Sequence, residues 1–149
     1  MSDSQAEAER IGQWMAQHDR LARLLGMQLE AVEPGSCRVS MEVTGDMLNA
    51  VGVTHGGATY SLADFAFAVA SNSHGTVAVA LTAQISYPAA SRLGDRLIAE
   101  ARENNLGGKT GLYTIEVKTE AGRLVGLFTG TVFRRNEPLA DWMDSGLPQ

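Results

Sequence analysis

The chain has 149 residues, of which 44% are apolar and 19% charged, the balance of an ordinary globular protein long enough to bury one real core. Its formal net charge is −5 and its longest basic run is the pair Arg134–Arg135, which argues against nucleic acid as a partner. No apolar run approaches membrane-spanning length, residues 1–10 are polar and acidic with no signal-peptide core, and the one cysteine rules out an intrachain disulfide framework, so a reducing cytoplasm is the expected compartment.

Residues 6–25 are amphipathic, with Ile11, Trp14, Met15, Leu21, Leu24 and Leu25 at helical spacing. Ser4 and Glu7 have the spacing of a capping box, and Gly26 is the expected stop. A short strand is expected over 27–33 and a turn at Pro34-Gly35. Over 36–43, Cys37, Val39, Met41 and Val43 alternate with Ser36, Arg38, Ser40 and Glu42, which predicts a half-buried antiparallel strand. A loop over 44–54 carries Gly45, Asn49 and Gly52. An almost wholly apolar helix follows from His55-Gly56-Gly57 to about Ser73 and ends at His74-Gly75.

Four strands are expected after it: 76–87, 96–104, 111–119 and 124–134. Turns at Arg92-Leu93-Gly94-Asp95, at 106–109 and at Ala121-Gly122 separate them. Gly126 and Gly130 fall on one face of the last strand, where it can pass closely over a helix. Residues 136–149 read as a loosely held tail. One long apolar helix among mostly antiparallel strands is an α+β domain, with an extra helix at its N-terminal end.

The chemistry concentrates on the central helix. Asp64 lies in its middle, where an ionised carboxylate is costly unless paired, hydrogen-bonded or set against a polar cavity. Gly56 and Gly57 open the helix, leaving backbone N–H groups accessible to a ligand oxygen at the positive end of the dipole. Anion-stabilising amides with a carboxylate are the parts for acyl transfer to water. His55 is read as ordering the loop through a backbone carbonyl, and Asn49 either closes its own turn or offers an amide to the substrate.

Other candidates fall away. Cys37 sits on the apolar face of its strand and reads as core. The Gly108-Lys109-Thr110 run lacks the leading glycine of a phosphate loop, which is Glu103 here. Ser61 has no nucleophile-elbow pattern around it. His18, His55 and His74 lack metal-ligand spacing, so no metal is expected.

The run Met47-Leu48-Asn49, then His55-Gly56-Gly57, then Ser61-Leu62-Ala63-Asp64 resembles the hotdog-fold acyl-CoA thioesterases, most of all the PaaI type from phenylacetate degradation. The Gly108–Tyr113 segment and the glycine-bearing last strand fit as well, and the likeness spans roughly 20–135 of a single domain. The resemblance implies a sheet wrapped around one central helix. It further implies hydrolysis of aryl-acetyl-CoA thioesters without metal or cofactor, by dimers paired into tetramers. It assigns Asp64 as general base or nucleophile, Gly56 as the amide polarising the carbonyl, Asn49 as an active-site amide and His55 as its support. Thr82 is the looser match to a hydroxyl near the water, since related chains carry Ser at the position of Ala80.

If CoA binds, its phosphates need cations, and Lys109, Arg134 and Arg135 are the candidates. Gly56 and Asp64 are eight residues apart, a rise of roughly 12 Å, so one helix cannot bring both to one carbonyl. A site shared across a two-fold dimer is therefore expected. Two other readings use the same residues: a hotdog 3-hydroxyacyl thioester dehydratase or hydratase, and a non-catalytic acyl-CoA-binding module.

Overall fold

A computed structural model describes residues 2–145. Helix α1 (Asp3–His18) is capped by Ser2, whose hydroxyl accepts the Gln5 N–H at 3.1 Å, so the expected Ser4–Glu7 capping box does not form. The single expected N-terminal helix is in fact two. Asp19 leaves helical geometry at φ −75°, ψ 108° and caps α2 (Arg20–Leu24), accepting the Ala22 N–H at 2.9 Å. The break turns Leu21 and Leu24 outward, 51% and 79% exposed, whereas Ile11 and Ala8 stay buried on α1. Gly26, at φ +69°, ends α2 as expected.

Strands β1 (Gln28–Glu33), β2 (Ser36–Glu42), β3 (Thr76–Ser86), β4 (Arg96–Leu106), β5 (Thr110–Thr119) and β6 (Leu124–Pro138) form one antiparallel sheet ordered β1-β2-β4-β5-β6-β3. The predicted alternation of β2 holds for Cys37, Val39 and Met41, which are buried. Ser40, placed on its polar face, is buried too, because its hydroxyl donates to Glu30 Oε1 at 2.5 Å beneath Arg96.

Helix α3 (Gly56–Asn72) follows β2 and lies across one face of the sheet. Leu62, Ala63, Ala66, Phe67, Val69 and Ala70 bury against Val39, Met41, Leu97, Ile115, Val117 and Phe128. Gly126 and Gly130 make this approach possible, as the sequence predicts. A Cβ at Gly130 would stand 2.6 Å from Phe67 Cζ, and one at Gly126 3.1 Å from Thr59 Cγ2. Any larger residue at 130 would overpack the core.

The far end of α3 is anchored by polar bonds. Asn72 Oδ1 accepts the Ala78 N–H at 2.9 Å, and Ser73 Oγ accepts that of Gly35 at 2.8 Å. His74 Nε2 and the Tyr113 hydroxyl both lie 2.6 Å from Glu103 Oε2, which ties the helix end to β4 and β5.

The tail departs from expectation. β6 runs on to Pro138, and α4 (Leu139–Ser145) follows it. Leu139 is buried with Ile11 and Val77, and its N–H bonds the Gly75 carbonyl at 2.8 Å, so residues 136–145 belong to the packed structure. The rest of the predicted loose tail, 146–149, lies outside the described residues. No described helix is long and apolar enough to cross a membrane.

Candidate active site

At the start of α3, His55 is the N-cap, with φ −61° and ψ 133°. Its N–H bonds the Met47 carbonyl at 2.7 Å and its ring Nδ1 accepts the Gly57 N–H at 2.8 Å. The expectation that the ring bonds a backbone carbonyl is thus corrected: it takes an orphan amide of the first turn, the job of a capping side chain. The His55 carbonyl accepts the Ala58 and Thr59 N–H groups. Gly56 is left as the first helical residue, and its N–H meets no acceptor among the described residues. That one amide is open to a ligand.

Neither glycine has positive φ, so what a side chain at either position would meet is the neighbouring ring. A Cβ at Gly57 would sit 3.0 Å from His55 Nδ1, in the way of the cap. A Cβ at Gly56 would sit 3.2 Å from Tyr87 Cζ, because the Tyr87 ring covers it. The Tyr87 hydroxyl donates to the Gly56 carbonyl at 3.0 Å.

The preceding loop is closed by Asn49. Its side-chain oxygen accepts the N–H groups of Val51 and Val53 at 3.1 and 3.2 Å, so it does stabilise its own turn. The carboxamide nitrogen makes no hydrogen bond with a described residue and remains available as a donor. Thr54 then fastens the loop to the segment after β3, its N–H to the Ser91 carbonyl and its hydroxyl 2.6 Å from Ser91 Oγ.

Asp64 lies two turns further along α3, half-buried between fully buried Ala63 and nearly buried Phe65. No described residue hydrogen-bonds its carboxylate. Burial, reinforced by the negative charge of Asp19, pushes its pKa above the ordinary Asp value. Tyr60 falls between Gly56 and Asp64 at four-residue steps, so the three share one face of the helix. Its ring meets Phe128 edge-on at 5.4 Å between centroids. Burial and then the Asp64 charge raise its phenol pKa.

A cleft of about 470 Å³ opens beside the amide, lined among others by Thr54, Gly56, Thr59, Tyr87, Ser91 and Val125. Asp64 is not in its wall. Larger hollows exist, about 620 Å³ over the outer sheet and about 670 Å³ beside α1 and α2. The first is walled among others by ion-paired Arg102, Glu116 and Lys118, the second among others by Gln13, Gln17, Arg23 and Gln28, and Gly56 lines neither. Volume alone is therefore a poor guide here.

The remaining predicted residues are not gathered at this point. Thr82 pairs with Thr131 and lines a hollow with Leu112 and Thr129, on the face of the sheet turned away from α3. A register shift between Ala80 and Thr82 puts it there, and Ala80, opposite buried Val132, is the residue on the helix side. In its own chain, then, no β3 hydroxyl at 82 approaches Asp64. Lys109 is exposed and makes no ion pair with a described residue. Arg134 is half-buried, donating its N–H to the Lys109 carbonyl at 2.7 Å and a guanidinium N–H to Gly107 at 3.1 Å. Arg135 pairs with Glu137 at 2.8 Å and lies 5.7 Å over the Trp142 ring.

Two would-be nucleophiles are spent. Ser61 Oγ donates to the Gly57 carbonyl at 2.7 Å, and buried Cys37 donates to the Ala66 carbonyl with its thiol pushed up to about 12 by burial. Tyr60 and Tyr87 were not singled out from sequence. Tyr60 carries a signal, its i+4 spacing to both Gly56 and Asp64; Tyr87 carries none, being thirty-one residues from the carbonyl it bonds.

The model of the thioesterase superfamily matches residues 51–126, from the loop through Gly126. The acyl-coenzyme A thioesterase PaaI of Escherichia coli K12 is 39% identical over 120 residues, 80% of this chain and 86% of its own. The structure of the E. coli PaaI protein superposes with a TM-score of 0.88 at 36% identity, over 90% of this chain and 97% of that one. A mutant of the phenylacetic acid degradation protein PaaI from Thermus thermophilus matches at TM-score 0.75 and 45% identity, over 77% and 98%. A hypothetical thioesterase of Streptococcus pneumoniae solved with coenzyme A matches at TM-score 0.73 and 27% identity, over 75% and 88%. With an antiparallel sheet over one long helix and an open amide and lone carboxylate on that helix, the chain belongs to the thioesterase superfamily, as a PaaI-type thioester hydrolase of the hotdog fold.

Proposed function

We propose that the protein hydrolyses acyl-CoA thioesters, with phenylacetyl-CoA or a hydroxylated phenylacetyl-CoA as substrate, at a site shared by two subunits. The observation that carries this reading is the pair on α3: an N–H at residue 56 with no acceptor and a half-buried carboxylate at residue 64 with no donor among the described residues. The names of the E. coli, Thermus and pneumococcal relatives support the CoA thioester and the aryl-acetyl group.

The thioester carbonyl oxygen would sit about 3 Å from the Gly56 N–H, where the helix dipole favours the charge of a tetrahedral intermediate. Asp64 removes a proton from water as it adds to the carbonyl carbon, or adds itself to give an anhydride that water then opens. In either case the C–S bond breaks, and the thiolate takes up a proton to leave as CoA. The Asn49 carboxamide donor steadies the water or carbonyl, His55 holds the amide in place, and Lys109, with Arg134 and Arg135 nearby, meets the CoA phosphates.

Continuous helix from Gly56 through Asp64 fixes their separation at roughly 12 Å of rise, too far for one carbonyl. The carboxylate serving Gly56 is therefore that of the partner subunit's Asp64. β3 supports a second copy: it is the edge of the sheet, paired with β6 on one side and with no described strand on the other, and its Val79 and Leu81 are 41% and 57% exposed. Two such dimers make the homotetramer implied by the resemblance.

Free-thiol release across aryl-acetyl, short-chain and long-chain acyl-CoAs tests the function. The expected result is turnover with the highest kcat/KM for an aryl-acetyl ester. Hydration of an enoyl-CoA without thiol release would make the protein a hydratase, and tight binding without turnover a binding module. The raised pKa of Asp64 adds a signature in pH. Both routes need the carboxylate ionised, so activity should rise with pH through a midpoint above the ordinary Asp value. Asp19→Asn removes one cause of that elevation and should move the acid limb of kcat/KM to lower pH; an unmoved limb would remove Asp19 from the account.

A further inference from the structure

We propose that Tyr87 is a positioning residue for the oxyanion-binding amide, acting through the Gly56 carbonyl. The proposal rests on the shared-site thioesterase reading and adds to it a residue outside the motif. Two glycines in succession are the least restrained start a helix can have, each free to rotate at little steric cost. An oxyanion donor needs the opposite, because its advantage lies in being already aimed when charge develops.

The structure supplies the restraint from three sides. The peptide before the Gly56 Cα is held by its oxygen, the His55 carbonyl, which accepts from Ala58 and Thr59. The peptide after it is held at both ends: the Gly57 N–H by His55 Nδ1 at 2.8 Å, and the Gly56 carbonyl, already the helical acceptor for Tyr60, by the Tyr87 hydroxyl as a second donor at 3.0 Å. Within α3 the first two restraints come from the helix and its cap. The third comes from outside, from the residue just past β3 and before Pro88, whose fixed backbone limits where the ring can go. The ring also lies within 3.2 Å of where a Gly56 side chain would be, so it closes that side of the amide and leaves the cleft side as the approach. Tyr87 thus touches the donor's own residue, not the reacting atoms.

The test is Tyr87→Phe, which keeps the ring and removes the hydroxyl. The expected result is a fall in kcat of about tenfold with KM for the acyl-CoA little changed, since what is lost is alignment toward the transition state. Assays run well below the variant's melting temperature read kcat on folded protein whichever way stability moves. Tyr87→Ala should add a rise in KM by opening the wall of the cleft. A Tyr87→Phe enzyme with wild-type kcat overturns the proposal, as does a loss carried by KM alone, which would make Tyr87 only a wall. Because the wild type is assayed alongside, failure of the thioesterase reading shows separately, as absence of thiol release from both proteins.

Discussion

Asp64→Asn should lower turnover of the aryl-acetyl-CoA substrate by about a hundredfold or more and, at neutral pH, raise the melting temperature. The first effect follows from the only role the carboxylate can fill in water addition: Asn can neither accept the proton nor attack. The second follows from its surroundings. Asp64 sits in a largely apolar helix with no hydrogen-bond donor among the described residues, and burial raises its pKa in the folded chain. A carboxyl whose folded pKa is raised favours folding below its unfolded pKa, and that favour is lost as pH rises through the folded value. At neutral pH the wild type carries the cost of an ionised, partly desolvated group and the Asn variant does not. The stabilisation should therefore shrink on acidification, where Asp64 takes up its proton. Calorimetric melts at neutral and acid pH, beside thiol-release assays, check both halves. Wild-type turnover would end the catalytic assignment, and a lower melting temperature at neutral pH would mean the carboxylate has a partner after all. Coupled loss of activity and gain of stability is the mark of a group kept for chemistry.

Much of this was legible in the residues, and the exceptions have identifiable causes. The long apolar run after His55 could hardly be anything but a buried helix, and Gly126 and Gly130 were readable as a close crossing because two glycines on one strand face leave room for something. Asp64 stood out because a charge in that company needs a reason. The break at Asp19 was not legible: an Asp inside an amphipathic pattern looks the same whether it lies within a helix or caps a new one. Residues 136–149 read as a loose tail, yet Pro138 within them closes β6 and is followed at once by a helix whose Leu139 finds a pocket between Ile11 and Val77. That pocket is built by segments far apart in the chain. The face that Thr82 takes was not legible, because of a single irregularity. The shift between Ala80 and Thr82 reverses the alternation, so counting by twos from either side gives the wrong face. Tyr87 is the deepest case, since its bond to Gly56 exists only once β3 returns along the helix.

The shared site makes the largest claim, that an enzyme inactive in either of two single variants regains activity when they are mixed. Asp64→Ala removes the carboxylate, and Gly56→Pro removes the amide N–H. Proline suits the first position of a helix, and His55 before it already has the extended geometry that a residue preceding proline prefers. The exposed Tyr87 ring, 49% accessible, is the neighbour that must give way. Each variant alone should lose about a hundredfold or more in kcat. In a mixed dimer, the intact Gly56 of one subunit faces the intact Asp64 of the other at one site, while the second site lacks both. The most direct measurement is thiol release by co-refolded, separately tagged variants after isolation of the heterodimer. The result predicted is half of the wild-type activity per dimer; purified heterodimers as inactive as either parent would contradict the shared site.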